Sequence, residues 1–254
     1  MKKAFFLMVD GLDGSGKGFV VDYLSELLKK KQLKVYDLRK EESNLNYLPE
    51  FKDIENFDVF IFKEPSEIGI GKDLRQEILK KNNRCYSVKT QAQAFAIQRE
   101  ILYKRLVIPA LEQMKFILAE RGFVSSLVFQ PLYSEFVNEK EKVNVDYIIS
   151  LEGNRLAMSY APDYLLVVDC DVKQSVERLN LREKKDHAIY ETEEFQKILR
   201  EVYLSKRKLT INNKEYTLKD YLEKLGTKSI IVDSSKTEEI TKSQVENFLN
   251  SIFK

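Results

Sequence analysis

The stretch AFFLMVDGLDGSGKGFVVDYL, residues 4–24, decides the fold. It begins with a short apolar run, passes through a glycine-rich loop and then takes on the apolar spacing of a helix. Gly11, Gly16 and Lys17 match the G-x-x-x-x-G-K part of the phosphate-loop (P-loop) pattern between a strand and a helix. Such loops point backbone N–H groups and a helix N-terminus at phosphate oxygens. The stretch therefore predicts a nucleotide-phosphate site; the alternative is a glycine-rich turn that only connects strand to helix.

The loop also supplies the residues predicted to bind the donor nucleotide. They are Asp13, Gly14, Ser15, Gly16, Lys17, Gly18 and Phe19. Lys17 is expected to reach the β and γ phosphates, but the residue after it, normally Ser or Thr to bind Mg²⁺, is Gly18. Because Mg²⁺ keeps several waters in most phosphate sites, carboxylates can hold it through water. Asp10 and Glu120, each at the carboxyl end of a predicted strand, are the candidates.

Composition sets limits on the partners of the chain. The 254 residues include 42 Lys+Arg against 40 Asp+Glu, so no strong field of one sign would attract nucleic acid or a membrane surface. No apolar segment approaches the roughly 20 residues that span a bilayer. Two cysteines are too few for a disulfide framework. We expect reduced thiols, a cytoplasmic location, and neither nucleic-acid nor membrane partners.

Short apolar runs alternate with helical segments along the chain. The runs lie at residues 5–9, 34–38, 58–62, 115–119, 163–169 and 229–233. They are typical of buried parallel strands, so the pattern predicts an α/β sandwich of three layers, with a parallel sheet of about five strands and helices on both faces. Three stretches look like insertions, at residues 39–56, 131–144 and 206–226. In the last, Asn212 and Asn213 predict a turn between two short extended pieces, followed by a helix.

The residues that follow two of these runs resemble motifs of the thymidylate kinase family. The stretch KEPSEIGIGKDLRQEIL from Lys63 is similar to the family's Arg-Glu-Pro run with its later Ile-Gly and Arg. The stretch ERGFVSSLVFQ from Glu120 is similar to its Asp-Arg-Tyr run followed by Ser-Ser and Tyr-Gln. The resemblance implies a P-loop NTPase fold of the nucleoside monophosphate kinase type, as one domain over residues 1–254 with a helical lid around 180–192. It also implies transfer of the γ phosphate of ATP to dTMP, with Mg²⁺ as cofactor.

The resemblance assigns roles to residues on the acceptor side. Phe95 would stack on the thymine ring, Arg99 would hydrogen-bond the base, and Ser126 would support the opposite base edge. Phe129 would lie against the sugar, where a ribose 2′-hydroxyl would clash. Asp13 would approach the 3′-hydroxyl or the phosphate-bearing end of the acceptor. The alternatives are a core aromatic for Phe95 and a solvated loop carboxylate for Asp13.

Cations complete the implied site. Lys63, Arg121 and Arg75 would hold the acceptor phosphate, whose charge is close to two negative units. The implied catalytic residues are Lys17, Glu120, Arg121 and Arg182. Arg182 belongs to a basic run in the lid, which would neutralise charge on the transferring phosphoryl group. A solvated helix face is the alternative for that run.

Two further functions stay open from the sequence. Glu64-Pro65 and Glu120-Arg121 also resemble motifs of deoxynucleoside kinases, in which the carboxylate after the second strand acts as a base on a 5′-hydroxyl. A nucleotide-binding protein that has lost phosphoryl transfer would account for Gly18, Phe19 and Glu120. The expected partners are the small molecules ATP and dTMP, and the family resemblance adds a homodimer formed through helices.

Overall fold

The computed structural model describes residues 4–84, 86–181, 190 and 192–253. The strands are β1 (Phe5–Gly11), β2 (Val35–Asp37), β3 (Val59–Lys63), β4 (Phe116–Glu120), β5 (Tyr164–Asp169), β6 (Leu209–Ile211), β7 (Lys214–Tyr216) and β8 (Lys228–Asp233). The helices are α1 (Lys17–Lys30), α2 (Leu38–Glu41), α3 (Phe51–Ile54), α4 (Ile70–Asp73), α5 (Val88–Leu102), α6 (Ile108–Glu112), α7 (Phe123–Phe136), α8 (Val145–Ser150), α9 (Glu152–Ser159), α10 (Val172–Asn180), α11 (Glu193–Tyr203), α12 (Leu218–Lys224) and α13 (Glu238–Ile252). Within these described ranges, no helix combines the length and apolar character that crossing a membrane requires.

Six strands form one parallel sheet in the order β2-β3-β4-β1-β5-β8. All six apolar runs of the sequence lie in this sheet, which thus has one strand more than the predicted five. Strand β1 is central, with β4 on one side and β5 on the other. In open parallel sheets, ligands bind beyond the carboxyl ends of the strands where the strand order reverses. The glycine-rich loop that follows β1 lies at this position.

Alternate residues of the strands enter two separate cores. In β1, Phe6 and Met8 belong to one apolar cluster, whereas Leu7 and Val9 belong to the other. Helices α1 and α13 cover the second cluster, and α5, α7, α9 and α11 contribute to the first. Full burial of one such side chain contributes roughly 1.5–3 kcal/mol relative to exposure. The three-layer α/β sandwich predicted from the sequence is confirmed.

A nearly continuous helix carries the apolar stripe that runs through residues 88–112. Helix α5 begins after Ser87, whose hydroxyl accepts a hydrogen bond from the Thr90 N–H at 3.1 Å. A π-helical segment, Tyr103–Val107, then joins α5 to α6. Phe95 and Arg99 lie one turn apart and are both buried, because an i, i+4 spacing places side chains on the same face of a helix. The helix therefore presents this pair to the interior of the protein.

The predicted insertions adopt defined structures. Strands β6 and β7 pair in an antiparallel hairpin around Asn212 and Asn213, and α12 follows, as the turn pattern predicts. Helix α7 runs through Pro131 to Phe136, so the first part of the 131–144 stretch continues a helix. The 39–56 stretch contains most of α2, a short 3₁₀ turn at Glu42–Asn44 and α3. The 39–56 stretch follows the edge strand β2 and reaches the carboxyl edge of the sheet.

Candidate active site

The loop between β1 and α1 has the backbone of a phosphate-binding loop. Gly14 and Gly16 have φ values of 75° and 92°, in the left-handed region that favours glycine. A Cβ atom at Gly14 would lie 2.2 Å from the Ser175 carbonyl oxygen, so no side chain fits there. Helix α1 begins at Lys17, directly after Gly16. Because the first N–H groups of a helix have no intrahelical partner, the loop presents donors to an anion.

Lys17 is buried inside this loop. Its ammonium group donates a hydrogen bond to the Leu12 carbonyl oxygen. Burial lowers the pKa of Lys17, and the positive charge of Arg121 adds to this effect, whereas Asp13, Asp10 and Glu120 oppose it; the resulting pKa is about 8. A buried cation of this kind is stabilised by an anionic ligand, because the negative charge of the ligand replaces the solvation by water that burial has removed.

One cleft of about 850 Å³ opens at the carboxyl ends of β1, β3 and β4. The predicted site residues that line it are Asp13, Lys17, Lys63, Arg75, Phe95, Arg99, Glu120, Arg121, Ser126 and Phe129. Gly14, Ser15 and Gly16 belong to the loop beside the cleft, Gly18 lies in the first turn of α1, and the Phe19 side chain packs against the core under α1. The cleft therefore joins the phosphate loop to every acceptor residue predicted from the sequence.

Arg99 organises one end of the cleft. Its side chain is 1% exposed and forms an ion pair with Glu64 at 2.7 Å. It also donates hydrogen bonds to Asn154 and, at 3.1 Å, to the Ser126 hydroxyl. Arg99 and Ser126, predicted to lie at opposite base edges, are thus direct neighbours here, because α5 and α7 pack against each other. Asn154 was not found from the sequence, where a single Asn in a helical segment gives no signal.

Arg121 links the cleft to the phosphate loop. It follows β4 with a φ of 67°, a left-handed turn that directs its side chain across the end of β1. The guanidinium donates to Asp10 at 3.0 Å and also pairs with Asp13. Its carbon Cζ lies 5.1 Å from the centre of the Phe129 ring. This arrangement holds a cation beside both the loop and the predicted sugar-binding aromatic.

The other two predicted phosphate cations also lie on the cleft wall. The Lys63 ammonium lies 3.1 Å from Glu42 and 2.7 Å from Glu67. The Arg75 Nε donates to the Pro65 carbonyl oxygen at 2.8 Å. Both side chains are therefore oriented by protein groups at the end of β3, where the KEP run predicted them.

Asp10, predicted to hold Mg²⁺ through water, is not among the residues that line the cleft. The residue is fully buried. Its oxygens accept hydrogen bonds from Ser125 at 2.8 Å and from Arg121 and Tyr203, each at 3.0 Å. A carboxylate this fully bonded to protein donors stabilises the packing of β1 against α7 and α11. Its position at a strand end could be read from the sequence, but its partners, up to 193 residues away, could not.

Glu120 is the carboxylate that faces the space beside the loop. It lines the cleft, and a Cβ atom at Gly18 would lie 3.9 Å from both of its oxygens. The Arg39 guanidinium donates to Glu120 at 3.2 Å. Carboxylate oxygen is a hard ligand that suits Mg²⁺ either directly or through water. Of the two predicted metal carboxylates, Glu120 lines the cleft and Asp10 is buried beneath it, and the metal-binding role of both stays a prediction.

Tyr190, a described residue of the predicted lid, contacts the cleft. Arg182 and the basic run at residues 182–189 lie outside the described residues. Tyr190 lines the cleft and packs edge-on against Phe129, with 5.5 Å between ring centres. Gln196 is fully buried, accepts a hydrogen bond from the Asp13 N–H at 3.2 Å, and donates to the Tyr190 carbonyl at 2.9 Å. Gln196 was missed in the sequence, where its only signal was a polar residue beside the apolar stripe of a helix.

Comparison with known proteins assigns the chain to a family. A family model described as thymidylate kinase matches residues 45–225. The chain belongs to the thymidylate kinase family. A probable thymidylate kinase of Thermococcus onnurineus is 28% identical over 205 residues, which cover 78% of this chain and 82% of the relative. The thymidylate kinase of Thermoanaerobacter sp. (strain X514) is 27% identical over 80% of this chain and 83% of its own length.

A more distant relative extends the same pattern. The thymidylate kinase of Mycoplasma genitalium is 24% identical over 182 residues, 72% of this chain and 71% of its own length. The range matched by the thymidylate kinase model contains the runs from Lys63 and Glu120 but begins after the phosphate loop. The match to the family model therefore does not depend on the phosphate loop, and the loop's departure at Gly18 does not weaken it.

Proposed function

We propose that this protein transfers the γ phosphate of ATP to dTMP and forms dTDP. The observation that carries this proposal is the single cleft that joins Lys17 and its loop to Phe95, Arg99 and Arg121. Membership of the thymidylate kinase family supports it. A donor loop and an acceptor pocket that share one cavity bring the two reactants together, which can lower the barrier of a bimolecular step by several kcal/mol.

The phosphate loop holds the donor in this proposal. Backbone N–H groups after Gly14 and the Lys17 ammonium bind the β and γ phosphates of ATP. Mg²⁺, held through water by Glu120, would neutralise charge on these phosphates. Asp13 is placed by Arg121 and Gln196 at the entrance to the acceptor side.

The acceptor binds at the other end of the cleft. Phe95 stacks on the base, Arg99 and Ser126 provide its polar contacts, and Phe129 lies against the sugar. Arg121, with Lys63 and Arg75, holds the acceptor phosphate, and a guanidinium is suited to two parallel hydrogen bonds with phosphate oxygens. Because a phosphate oxygen is already a nucleophile, the transfer needs positioning and charge stabilisation rather than a strong base. In the proposal, Arg182 of the predicted lid supplies positive charge that neutralises the transferring phosphoryl group.

The two alternative functions receive less support. A deoxynucleoside kinase would use Glu64 as a base, but the Arg99 guanidinium holds one oxygen of this carboxylate in a buried ion pair. A protein that has lost transfer would not need Lys17 and Glu120 in the cleft together, where the structure has them. The relatives named above are thymidylate kinases, and they favour neither alternative.

The acceptor is tested by measuring ADP formation from Mg-ATP with dTMP, dUMP, dCMP, dGMP and free thymidine. We expect turnover with dTMP that exceeds every other acceptor, and none in the Lys17→Met variant, which keeps the stem of the side chain and removes its charge. Turnover with thymidine alone would replace the proposal by a nucleoside kinase. Tight nucleotide binding with no turnover on any acceptor would establish lost activity.

Other features of the proposal concern the protein as a whole. We propose a single domain over residues 1–254 with insertions at 39–56, 131–144 and 206–226 and a lid around 180–192. A homodimer and a cytoplasmic location stay predictions.

A further inference from the structure

Arg39 brings an additional cation to the cleft. It follows the edge strand β2, which is parallel to β3 in the register Asp37 to Ile61. Strand β3 in turn pairs Lys63 with Glu120 of β4. The carboxyl ends of the three strands therefore meet at one edge, and the side chain of Arg39 lines the cleft with an exposure of only 9%.

The Arg39 guanidinium is fixed by three carboxylates. Asp37 accepts two parallel hydrogen bonds, from Nε at 2.9 Å and from Nη2 at 2.8 Å. Asp22 of α1 accepts one from Nη2 at 2.7 Å. The other terminal nitrogen, Nη1, donates to Glu120 at 3.2 Å. A planar guanidinium anchored in this way has a defined direction, which a lysine ammonium at the same place would lack.

Among the described residues, no phosphate-loop side chain is hydrogen-bonded to the Glu120 carboxylate. A Ser or Thr after Lys17 would place its side chain in the space beside Glu120, since a Cβ atom at Gly18 would lie 3.9 Å from both carboxylate oxygens. Gly18 leaves that space without a hydroxyl. The contact from Arg39 is therefore the one described side-chain hydrogen bond that the Glu120 carboxylate receives.

We propose that Arg39 is a positioning residue for nucleotide-bound Mg²⁺: it holds the Glu120 carboxylate beside Gly18 and so compensates for the loop hydroxyl that would otherwise bind the ion at this place. The inference deepens the proposed function, because it concerns the donor side of the same cleft. Both Gly18 and Arg39 lie outside residues 45–225, the range matched by the thymidylate kinase model. Groups that orient a metal-binding side chain typically change metal affinity or activity about 10- to 100-fold when they are removed.

Nucleotide binding tests the inference without any reaction. The dissociation constant of ADP is measured with Mg²⁺ and with EDTA, and their ratio gives the enhancement of binding by Mg²⁺. We expect Arg39→Lys to reduce this enhancement about 10-fold or more and to leave the constant in EDTA unchanged. The matched control is Arg207→Lys, which alters an arginine paired with Glu135 away from the cleft and should change neither value. The inference would be overturned if Arg39→Lys left the Mg²⁺ enhancement of ADP binding unchanged. It would also be overturned if the wild-type protein bound ADP equally well with Mg²⁺ and with EDTA.

Restoring the hydroxyl separates this role from a purely structural one. We expect Gly18→Ser to recover the Mg²⁺ enhancement in the Arg39→Lys background, whereas Gly18→Ala, which fills the same space without a hydroxyl, should not. Equal effects of serine and alanine would contradict the inference. Asp37→Asn is the second variant should Arg39→Lys fail to fold, because Asn still caps α2 but removes the carboxylate that anchors the guanidinium. Asp37→Asn should lower the Mg²⁺ enhancement of ADP binding, as Arg39→Lys does.

A double-mutant cycle with Glu120→Gln shows whether Arg39 acts through Glu120. If it does, Arg39→Lys has little further effect once Glu120 has lost its charge, and the two losses are not additive. Additive losses would mean that Arg39 only stabilises the β2–α2 connection. The result is independent of the acceptor, because the cycle measures ADP binding alone. A protein that binds Mg-ADP but does not phosphorylate dTMP would contradict the proposed function, and the double-mutant cycle could still be measured on it.

Discussion

Lys17 couples nucleotide binding to protonation. Burial and the nearby Arg121 lower its pKa to about 8, whereas an adjacent polyphosphate adds negative charge and raises it. A group whose pKa is higher in the complex than in the free protein takes up protons on binding, at pH values between the two. The affinity for ATP should therefore fall as the pH rises above the lower of these values.

We predict that ATP binding at a pH just above 8 is accompanied by proton uptake. Isothermal titration calorimetry in buffers of different ionisation enthalpy measures the number of protons taken up. Well below this pH, Lys17 is charged in both states and its contribution to the uptake should vanish. The Lys17→Met variant is the control, and an uptake that persists in it would assign the proton to another group.

Two buried glutamines are predicted to respond in opposite ways to the same substitution. Gln196 bonds to Asp13 and to the Tyr190 carbonyl, whereas neither polar side-chain atom of Gln98 has a partner among the described residues. Removing a buried amide that is hydrogen-bonded leaves its partners unpaired and costs about 1–3 kcal/mol of stability, whereas removing an unpaired amide can be neutral or stabilising. Gln196→Met should lower the free energy of unfolding in urea, and Gln98→Met should leave it unchanged or raise it. A larger loss at Gln98 would contradict the described hydrogen bonding.

At the scale of elements, short-range patterns predict strands and helices but not the contacts between them. The apolar runs identify all six strands of the parallel sheet because buried parallel strands are apolar on both faces, and Asn212–Asn213 identifies the β6–β7 hairpin. The bond from Arg39 to Glu120 joins residues 81 positions apart, and that from Asp13 to Gln196 spans 183. No local period carries such information, so the acceptor residues were predicted through family motifs, while the contacts of Arg39, Asn154 and Gln196 emerged only from the fold.

The β6–β7 hairpin provides a test of its turn. Asn212 and Asn213 have φ values of 49° and 59°, a conformation that asparagine tolerates and that costs other non-glycine residues about 1–2 kcal/mol. Asn213→Ala should therefore destabilise the protein by roughly this amount in urea unfolding, whereas Asn213→Gly should be neutral or stabilising. Equal stability of the two variants would show that the turn does not need a left-handed residue at this position.

At the scale of the molecule, the central position of β1 explains why one cleft serves two substrates. The phosphate loop emerges from the middle of the sheet, and the predicted acceptor residues emerge from β3, β4 and their helices on one side of it. Helix α5, which carries Phe95 and Arg99 on its inner face, also exposes Ile97 and Ile101 on its outer face, by 51% and 37%. Two exposed isoleucines one turn apart are suited to contact with a second copy of the chain.

We predict a homodimer that buries this face of α5. Light scattering after size exclusion should give twice the mass of one chain for the wild type and the mass of one chain for Ile97→Glu combined with Ile101→Glu. The matched control is Ile231→Glu, which places the same charge at an isoleucine that is 54% exposed on β8. Loss of the dimer in the control, or its persistence in the α5 variant, would place the interface elsewhere.

The most direct test of the central claim follows the transferred phosphate itself. The protein is incubated with Mg²⁺, dTMP and ATP that carries a radioactive γ phosphate, and the labelled products are separated. We predict that the label appears in dTDP, at its β phosphate, and that Lys17→Met forms none. Label found only in inorganic phosphate, with dTMP unchanged, would contradict the assignment of the cleft to phosphoryl transfer between nucleotides.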